Sequence, residues 1–155
     1  MAQDLLAAFE ASILGQVARS SSWFFPLSNL AHVLGAALLV GSIAVFDIML
    51  LRKRYEAAAA ISGSALSIAC AGAALLVLSG PVLLSAEATA IGRNPVFLVK
   101  LTLISAALFN ISAYYGSAWR QKITHGFPRH ARVHAGISLG LWICVLLAGR
   151  FIAYF

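Results

Sequence analysis

Four long apolar stretches, separated by short polar segments, dominate the chain. The first covers residues 26–51 and contains no Lys or Arg. The others cover about residues 57–84, 95–119 and 133–155. A helix rises about 1.5 Å per residue and the hydrocarbon core of a bilayer is about 30 Å thick, so each stretch is long enough to cross a membrane. The pattern predicts four membrane-spanning helices, which we call spans one to four.

The segment before span one differs, because apolar residues recur in it at helical spacing and the positions between them are polar or small. Those apolar residues are Leu5, Leu6, Phe9, Ile13, Leu14 and Val17. Residues 3–19 are too polar to cross a bilayer, and their pattern is typical of a helix on the membrane surface. We predict an all-α fold in a single domain, 1–155: an integral membrane four-helix bundle preceded by an N-terminal amphipathic interfacial helix.

Glycine and proline mark local features of the spans. The first half of span two is rich in Ala, Gly and Ser, which allows a neighbouring helix to approach closely. Gly80 and Pro81 predict a kink near its far end, and the polar residues 85–95 predict a loop. Gly136 and Gly140 form a small-xxx-small face on span four, through which a homo-oligomer could assemble.

Composition agrees with a membrane protein. The 155 residues are 61% hydrophobic and only 10% charged, whereas soluble domains are about a quarter charged. A net charge of +6 is compatible with nucleic-acid binding. The basic residues lie in short loops beside the spans, however, which is the ordinary sign of membrane topology. The lipid bilayer is therefore the predicted partner, and nucleic acid is not.

The distribution of basic residues predicts the orientation. Seven lie in the loops that follow spans one and three: Arg52, Lys53, Arg54, Arg120, Lys122, Arg129 and Arg132. Two, Arg19 and Arg93, lie outside the spans on the opposite side. Lys and Arg accumulate in cytoplasmic loops. We predict a bacterial inner (plasma) membrane protein with loops 52–56 and 120–132 in the cytoplasm and both termini outside.

An outer level of ionisable side chains is centred on His32, which lies roughly 9 Å inside span one. Lys100 and Arg150 lie at a similar level in spans three and four, and Glu87 lies just above them. Lys100 and Arg150 are close enough to the interface to serve as simple anchors. His32 is deeper and has apolar neighbours, and an ionisable group at such a depth is a functional-site hypothesis by default.

A buried His in a membrane bundle has three common uses: a haem or metal ligand, a proton relay, or an interhelical hydrogen bond. We favour haem b, because helix bundles hold cofactors between facing helices. His32 would bind the iron, Gly35 and Ala36 with span two would admit the macrocycle, and Lys100 and Arg150 would bind the propionates. No second His lies at this depth, so the iron would be five-coordinate or take water or another side chain.

An inner level lies near the opposite side of the membrane. It consists of Asp47, His134 and either Tyr114 or Tyr115, with His130 one helical turn from His134. His134 is a further candidate cofactor-binding residue. Purely structural roles are the alternative for these residues. Asp47 can pair with the arginines that follow span one, and the tyrosines can belong to an aromatic belt.

Several segments carry a resemblance to known families. Span one opens S-x-W-x-x-P-L-S-N-L-A-H-V-L-G and ends F-D-I-M-L-L-R, span three opens N-P-x-F-L-V-K-L, and span four reads S-L-G-L-W-x-x-V-L-x-A-G-R-F-I-A-Y-F. Together these segments resemble a family of uncharacterised bacterial four-span membrane proteins. The first-span His and the Gly-rich helix ending in basic residues are more distantly similar to the copper-resistance D-type membrane domain. They are also similar to the four-helix haem-containing protoporphyrinogen oxidases. The resemblance implies a haem site centred on His32.

Three functions stay open. The first is a small cytochrome b-like protein with an electron-transfer or redox-sensing role near the outer face. If it is an enzyme, it would be a haem-dependent membrane oxidoreductase, since the sequence carries no P-loop, dinucleotide fingerprint or nucleophile elbow. The second is a transport module for protons, metal or a small solute, with the two levels as the ends of a relay. The third is a structural or assembly subunit of a membrane complex.

Overall fold

The computed structural model describes residues 2–120, 127 and 130–154, with the backbone alone for residues 2 and 115–120. The helices in this part of the chain are α1 (Ala2–Glu10), α2 (Ile13–Ser20), α3 (Phe24–Leu51), α4 (Tyr55–Ala86), α5 (Ala88–Arg93), α6 (Pro95–Arg120) and α7 (Ala131–Phe151). Most of the loop predicted at 120–132, and the Tyr115 side chain, lie outside the described residues.

The helices α3, α4, α6 and α7 are the four predicted spans, and each is long and apolar enough to cross a bilayer. They confirm the all-α four-helix membrane bundle. Side chains cap two of their N-termini. The hydroxyl of Ser21 accepts a hydrogen bond from the backbone N–H of Phe24 at 3.2 Å. The side-chain oxygen of Asn94 accepts one from the N–H of Val96 at 2.9 Å. Each cap satisfies a backbone donor that has no partner within its helix.

The N-terminal segment contains two helices where the sequence predicts one over residues 3–19. Ser12 separates them. Its hydroxyl donates to the carbonyl oxygen of Phe9 at 2.6 Å, at the end of α1, and accepts from the N–H of Gly15 at 3.4 Å, at the start of α2. The preference of Ser for capping therefore outweighs the helical spacing of the apolar residues. The predicted loop at 85–95 is likewise replaced in part by the short helix α5.

The spans α3 and α4 approach each other most closely at Gly35 and Gly72. A Cβ atom at Gly35 would lie 2.8 Å from the carbonyl oxygen of Gly72, and one at Gly72 would lie 2.6 Å from the carbonyl oxygen of Gly35. Only bare backbone fits at such a contact. The small residues of span two therefore pack against α3 within the chain.

The structure also bears on the proline of span two and on the glycine pair of span four. Helix α4 continues through Pro81 as one element from Tyr55 to Ala86, so the predicted kink at Gly80 and Pro81 does not end the helix. On α7, a Cβ at Gly140 would meet no atom of the described structure within 4 Å, and one at Gly136 would meet only the Leu51 side chain, at 3.8 Å. This small-residue face is not a close helix contact within the described part of the chain.

The spans follow the order α4–α3–α7–α6 around the bundle. Helix α3 packs on α4 and α7, and α7 also packs on α6. Among the described residues, α4 and α6 do not pack against each other. The buried residues between the spans are Leu39, Ala69, Ala107, Trp142 and Val145. One side of the bundle therefore has a gap between α4 and α6.

The helices α1, α2 and α5 cover one end of the bundle, which we call the capped end. The opposite end, where α3 turns into α4, is the basic end. Arg19 donates to the carbonyl oxygens of Ser85 and Ala86 at 3.3 and 3.2 Å and so caps the last turn of α4. Glu10 accepts hydrogen bonds from the N–H and the hydroxyl of Thr89 at 2.8 and 2.6 Å. These contacts tie the N-terminal helices to α4 and α5.

Glu10 lies outside the spans, and its hydrogen bonds affect its ionisation. The hydroxyl and the N–H of Thr89 hold the pKa of the Glu10 carboxyl below its usual value, and the charge of Arg19 acts in the same direction. On the outward surface, Leu5 and Ile13 are 69% and 81% exposed. An apolar outer face on α1 and α2 is what helices at a membrane interface present.

Candidate functional site

A cavity of about 320 Å³ lies between α3, α4, α6 and α7, in the half of the bundle nearer the basic end. Most of its wall is aliphatic. The polar side chains of the wall are Asp47, Ser62, Asn110, Tyr114, His134, Ser138 and Trp142. A mostly apolar cavity between facing helices, with a few convergent polar groups, is typical of a small-molecule site.

Two groups in this wall are buried without a hydrogen-bond partner. Asp47 and Trp142 are each 5% exposed. The Asp47 carboxyl lies within reach of the Ser138 hydroxyl. Its Oδ2 atom and the Nε1 atom of Trp142 nevertheless have no partner among the described residues. An unpaired buried polar group costs about 1–3 kcal/mol. The wall thus offers a bound molecule one hydrogen-bond acceptor and one donor.

The ordinary interpretation of Asp47 is a residue at the membrane boundary that pairs with the arginines after span one. The structure places it differently. Arg52 and Arg54 are exposed, whereas the Asp47 carboxyl is buried and faces α7 through Ser138. The end of the helix explains the difference, since Arg52 and Arg54 lie beyond Leu51, the last residue of α3, whereas Asp47 lies within the helix one turn earlier. Asp47 therefore belongs to the cavity and not to the membrane boundary.

Asn110 of α6 holds His134 of α7 through two hydrogen bonds. The Asn110 side-chain nitrogen donates to the carbonyl oxygen of His134 at 3.0 Å. The Asn110 side-chain oxygen lies 2.8 Å from Nδ1 of the His134 ring. Because that oxygen can only accept, Nδ1 carries a proton and donates it to Asn110. His134 is thus held in a fixed orientation, and its side chain lines the cavity.

Aromatic rings complete the polar side of the cavity. Phe46, Tyr114 and Trp142 all line it. The Tyr114 ring centroid lies 5.8 Å from that of His134, and the His130 centroid lies 5.5 Å from His134 on another side. The structure therefore brings together the inner level that the sequence predicts, with Asp47, Tyr114 and His134 at one cavity.

The cavity opens through the gap between α4 and α6. Leu66 of α4 and Leu108 of α6 both line it and are 52% and 54% exposed on the outside of the bundle. Cys70, one turn from Leu66, also lines the cavity and is an exposed free thiol. At this depth the outside of the bundle is the surface that faces lipid. The opening is therefore lateral.

His32, the centre of the predicted outer level, does not line this cavity. Its Nδ1 atom lies 2.9 Å from the hydroxyl oxygen of Ser79 in α4. The Ser79 hydroxyl donates its proton to the carbonyl oxygen of Leu75 at 2.5 Å. The hydroxyl must then accept from His32, so Nδ1 carries the proton and Nε2 keeps a lone pair. This is the tautomer that a metal-ligating imidazole adopts when its other nitrogen is anchored.

The other outer-level residues have separate surroundings. The Lys100 ammonium lies beside Gly149, where a Cβ would be 3.4 Å from Nζ, and it interacts electrostatically with His32. Arg150 is exposed, donates to the Tyr154 hydroxyl at 2.9 Å and stacks on that ring. The structure thus brings Lys100 towards His32 but turns Arg150 to its own helix end.

The fit of a haem at His32 depends on the space around it. The predicted space between α3 and α4 is closed just below His32, where Gly35 and Gly72 place the two backbones in contact. The small residues predicted to admit the macrocycle are therefore occupied by the contact between the two helices. Within the described residues, no three His, Cys, Asp or Glu side chains are grouped as a metal site.

Sequence reasoning missed four polar residues of the cavity wall: Ser62, Asn110, Ser138 and Trp142. A signal for two of them is present, because Ser138 and Trp142 follow His134 at intervals of four residues and so share one face of α7. Asn110 bears the same relation to Tyr114 on α6. These polar side chains at helical spacing within apolar spans mark the cavity face.

The fold and the cavity define an all-α, four-span membrane protein with a polar site inside the bundle. No family model matches the chain, and no curated protein or solved structure matches it either. The resemblance to the uncharacterised four-span family therefore stays a prediction. Function has to be argued from the chemistry of the site.

Proposed function

We propose that this protein binds a small solute inside the bilayer and transports it, with the cavity as the binding site. The observation that carries the proposal is the pair of unpartnered buried groups, Oδ2 of Asp47 and Nε1 of Trp142, in the wall of one cavity. Polar groups in membrane spans are expensive and mark substrate or ion pathways. A solute that supplies a donor to Asp47 and an acceptor to Trp142 would offset that cost.

His134 adds a third contact for the solute. The two hydrogen bonds to Asn110 fix the orientation of the His134 ring. The ring can therefore contact the solute without a change of side-chain conformation. By the distribution of basic residues, the basic end faces the cytoplasm of a bacterial inner membrane. The cavity then lies in the cytoplasmic half of the bilayer, and the capped end faces outward.

The test is tracer release from proteoliposomes. Vesicles containing the purified protein are loaded in turn with radiolabelled choline, mannitol and glutamate, which differ in charge. At least one tracer should leave faster than from protein-free vesicles. Asp47→Asn and His134→Asn should each return that rate to the protein-free value. Glu56→Gln, an exposed carboxyl at the start of α4, is the matched control and should retain it.

Two results would count against transport. One is release of every tracer at the protein-free rate, although the protein is folded and inserted. The other is faster release that neither the Asp47 nor the His134 substitution changes, which would point to a leak outside the cavity.

A second candidate function, a haem b protein, is favoured by one observation. The hydrogen bond to Ser79 presents Nε2 of His32 as a free ligand atom. A bound haem would supply one-electron redox chemistry. His32 would hold the iron, and Lys100 would bind a propionate. Protein purified from haem-sufficient cells should then show a Soret band that His32→Ala abolishes and Asp47→Asn retains. A colourless preparation would rule this function out.

A further inference from the structure

We infer that the solute is a small organic amine, bound as its cation, which enters from the lipid through the gap between α4 and α6. This inference rests on the proposed function and names the class of solute for the same cavity. It follows from the charge balance of the wall, from the rings that line it, and from the position of its opening.

Among the described residues, the wall has one acidic side chain and no Lys or Arg. Asp47 is the only carboxylic acid among the described residues that line the cavity. His134, also in the wall, donates from Nδ1 to Asn110. An ammonium donates hydrogen bonds to Oδ2 of Asp47 and balances its charge as well, whereas a neutral alcohol can donate a hydrogen bond but carries no balancing charge. An anionic solute would meet Asp47 with no Lys or Arg beside it among the described residues of the wall.

The remainder of the wall suits the apolar body of such an amine. The rings of Phe46, Tyr114 and Trp142 can face a cation, which is attracted by the electron density of an aromatic face. The aliphatic part of the wall removes the hydrocarbon portion of the solute from water. A cavity of about 320 Å³ is at the small end of the range for ligand pockets, which excludes bulky solutes.

The opening lies where an amphipathic amine accumulates. Leu66 and Leu108, which form its two sides, are both apolar and half exposed. The uncharged form of an organic amine with an apolar body partitions into bilayers, so it reaches this opening from the hydrocarbon region without passing through either end of the bundle, and it becomes the bound cation by taking a proton from the Asp47 carboxyl. A strongly hydrated ion does not take such a route, because removing its water is too costly in hydrocarbon.

The experiment uses the thiol of Cys70 as a reporter of occupancy. The full-length Cys144→Ala protein in detergent carries Cys70 as its remaining cysteine, and its reaction with N-ethylmaleimide is timed. Three phenyl compounds that differ only in their polar end are added: 2-phenylethylamine, 2-phenylethanol and 3-phenylpropionate. The amine should slow the reaction at about a 10- to 100-fold lower concentration than the alcohol, which is the factor carried by a hydrogen bond to a charged group. The carboxylate should give no protection.

Substitutions test which residues are responsible for the protection of Cys70. Asp47→Asn should make the amine no better than the alcohol. Trp142→Phe, which removes the Nε1 donor and keeps an aromatic ring, should weaken the binding of the alcohol, whose oxygen can accept from Nε1, and should leave the binding of the ammonium unchanged. Trp23→Phe, at an exposed indole outside the cavity, is its control and should change nothing. The rate of Cys70 modification without ligand verifies that each variant keeps the cavity.

The outcomes separate the two proposals. Equal protection by the amine and the alcohol, unaffected by Asp47→Asn, overturns the cationic class but leaves the cavity as a solute site. Protection by 3-phenylpropionate alone would show that the cavity prefers an anionic solute to a cationic one. Absence of protection by all three compounds, with Cys70 reactive throughout, counts against the amine and against solute binding in the cavity.

Discussion

Asn110 holds His134 at two points, with its amide nitrogen on the backbone carbonyl at 3.0 Å and its amide oxygen on the imidazole at 2.8 Å. One buried side chain therefore joins α6 to α7 and fixes the orientation of the His134 ring. This contact links the packing of the spans to the chemistry of the cavity, and the first prediction follows from it.

Asn110→Ala should lower the free energy of unfolding by about 1–3 kcal/mol, because it removes both interhelical hydrogen bonds and leaves the His134 Nδ1–H unpaired. It should also reduce tracer release, since the ring loses its fixed orientation. Thermal unfolding in detergent measures the first effect. Ser112→Ala, on the exposed face of the same helix, should be neutral. A variant with wild-type stability and release would contradict the assigned role of Asn110.

Asp47→Leu should raise thermal stability while abolishing tracer release. The carboxyl is buried with an unpaired oxygen, and an unpaired buried polar group costs about 1–3 kcal/mol, which an apolar side chain of similar size does not incur. Glu56→Gln, at an exposed carboxyl, should change neither property. A melting temperature below that of the wild type would indicate that Asp47 serves packing and not a ligand.

Gly72→Ala should weaken the bundle by about 1–3 kcal/mol, since a methyl group there would lie 2.6 Å from the carbonyl oxygen of Gly35. Gly63→Ala lies on the same helix and meets no atom of the described structure within 4 Å. Its greater helix propensity should make it neutral or slightly stabilising. Melting curves of the two variants in one detergent give the comparison, and equal values would contradict the close contact.

Acidification should loosen the N-terminal helices from the capped end. The hydrogen bonds from Thr89 lower the pKa of folded Glu10, so their stabilisation is fully present above the pKa of the unfolded segment, about 4.3. It is lost as the pH falls through the lower pKa of the folded state. Hydrogen exchange at the Thr89 amide, corrected for the intrinsic rate, should therefore accelerate at acid pH.

The Glu10→Gln variant identifies the group responsible for this pH dependence. It cannot ionise, so exchange at Thr89 should already be faster near neutral pH and should change little on acidification. Glu56→Gln, at the opposite end of the bundle, should behave as the wild type does. An acid-induced acceleration that persists in Glu10→Gln would assign the effect to another carboxyl.

The spans were predictable because their signal is strong and local. Runs of more than 20 apolar residues admit few structures other than a membrane-crossing helix, and Pro or Asn at their starts located two boundaries within a few residues. The division at Ser12 was harder, because capping by one hydroxyl competes with a helical pattern that extends on both sides of it.

The site was only partly predictable, because depth in the membrane does not determine which way a side chain faces. Asp47, Tyr114 and His134 lie at a similar depth in the membrane, and all three line the cavity. His32, Lys100 and Arg150 also share a level, yet Arg150 turns to Tyr154. The direction of each residue around its helix depends on how the helices rotate against one another. Contacts such as Gly35 with Gly72 set that rotation, and no single span encodes it.

The absence of packing between α4 and α6 in the described part of the bundle has a mechanical consequence. Helix α4 is fastened at the capped end, where Arg19 binds its last carbonyls, and it crosses α3 at Gly35 and Gly72. The side chains of Leu38, Leu75 and Leu76 flank the two glycines at this crossing. Beyond it, α4 has no packed neighbour on the side of α6 among the described residues. A displacement of Leu66 relative to Leu108 would therefore change the width of the lateral opening.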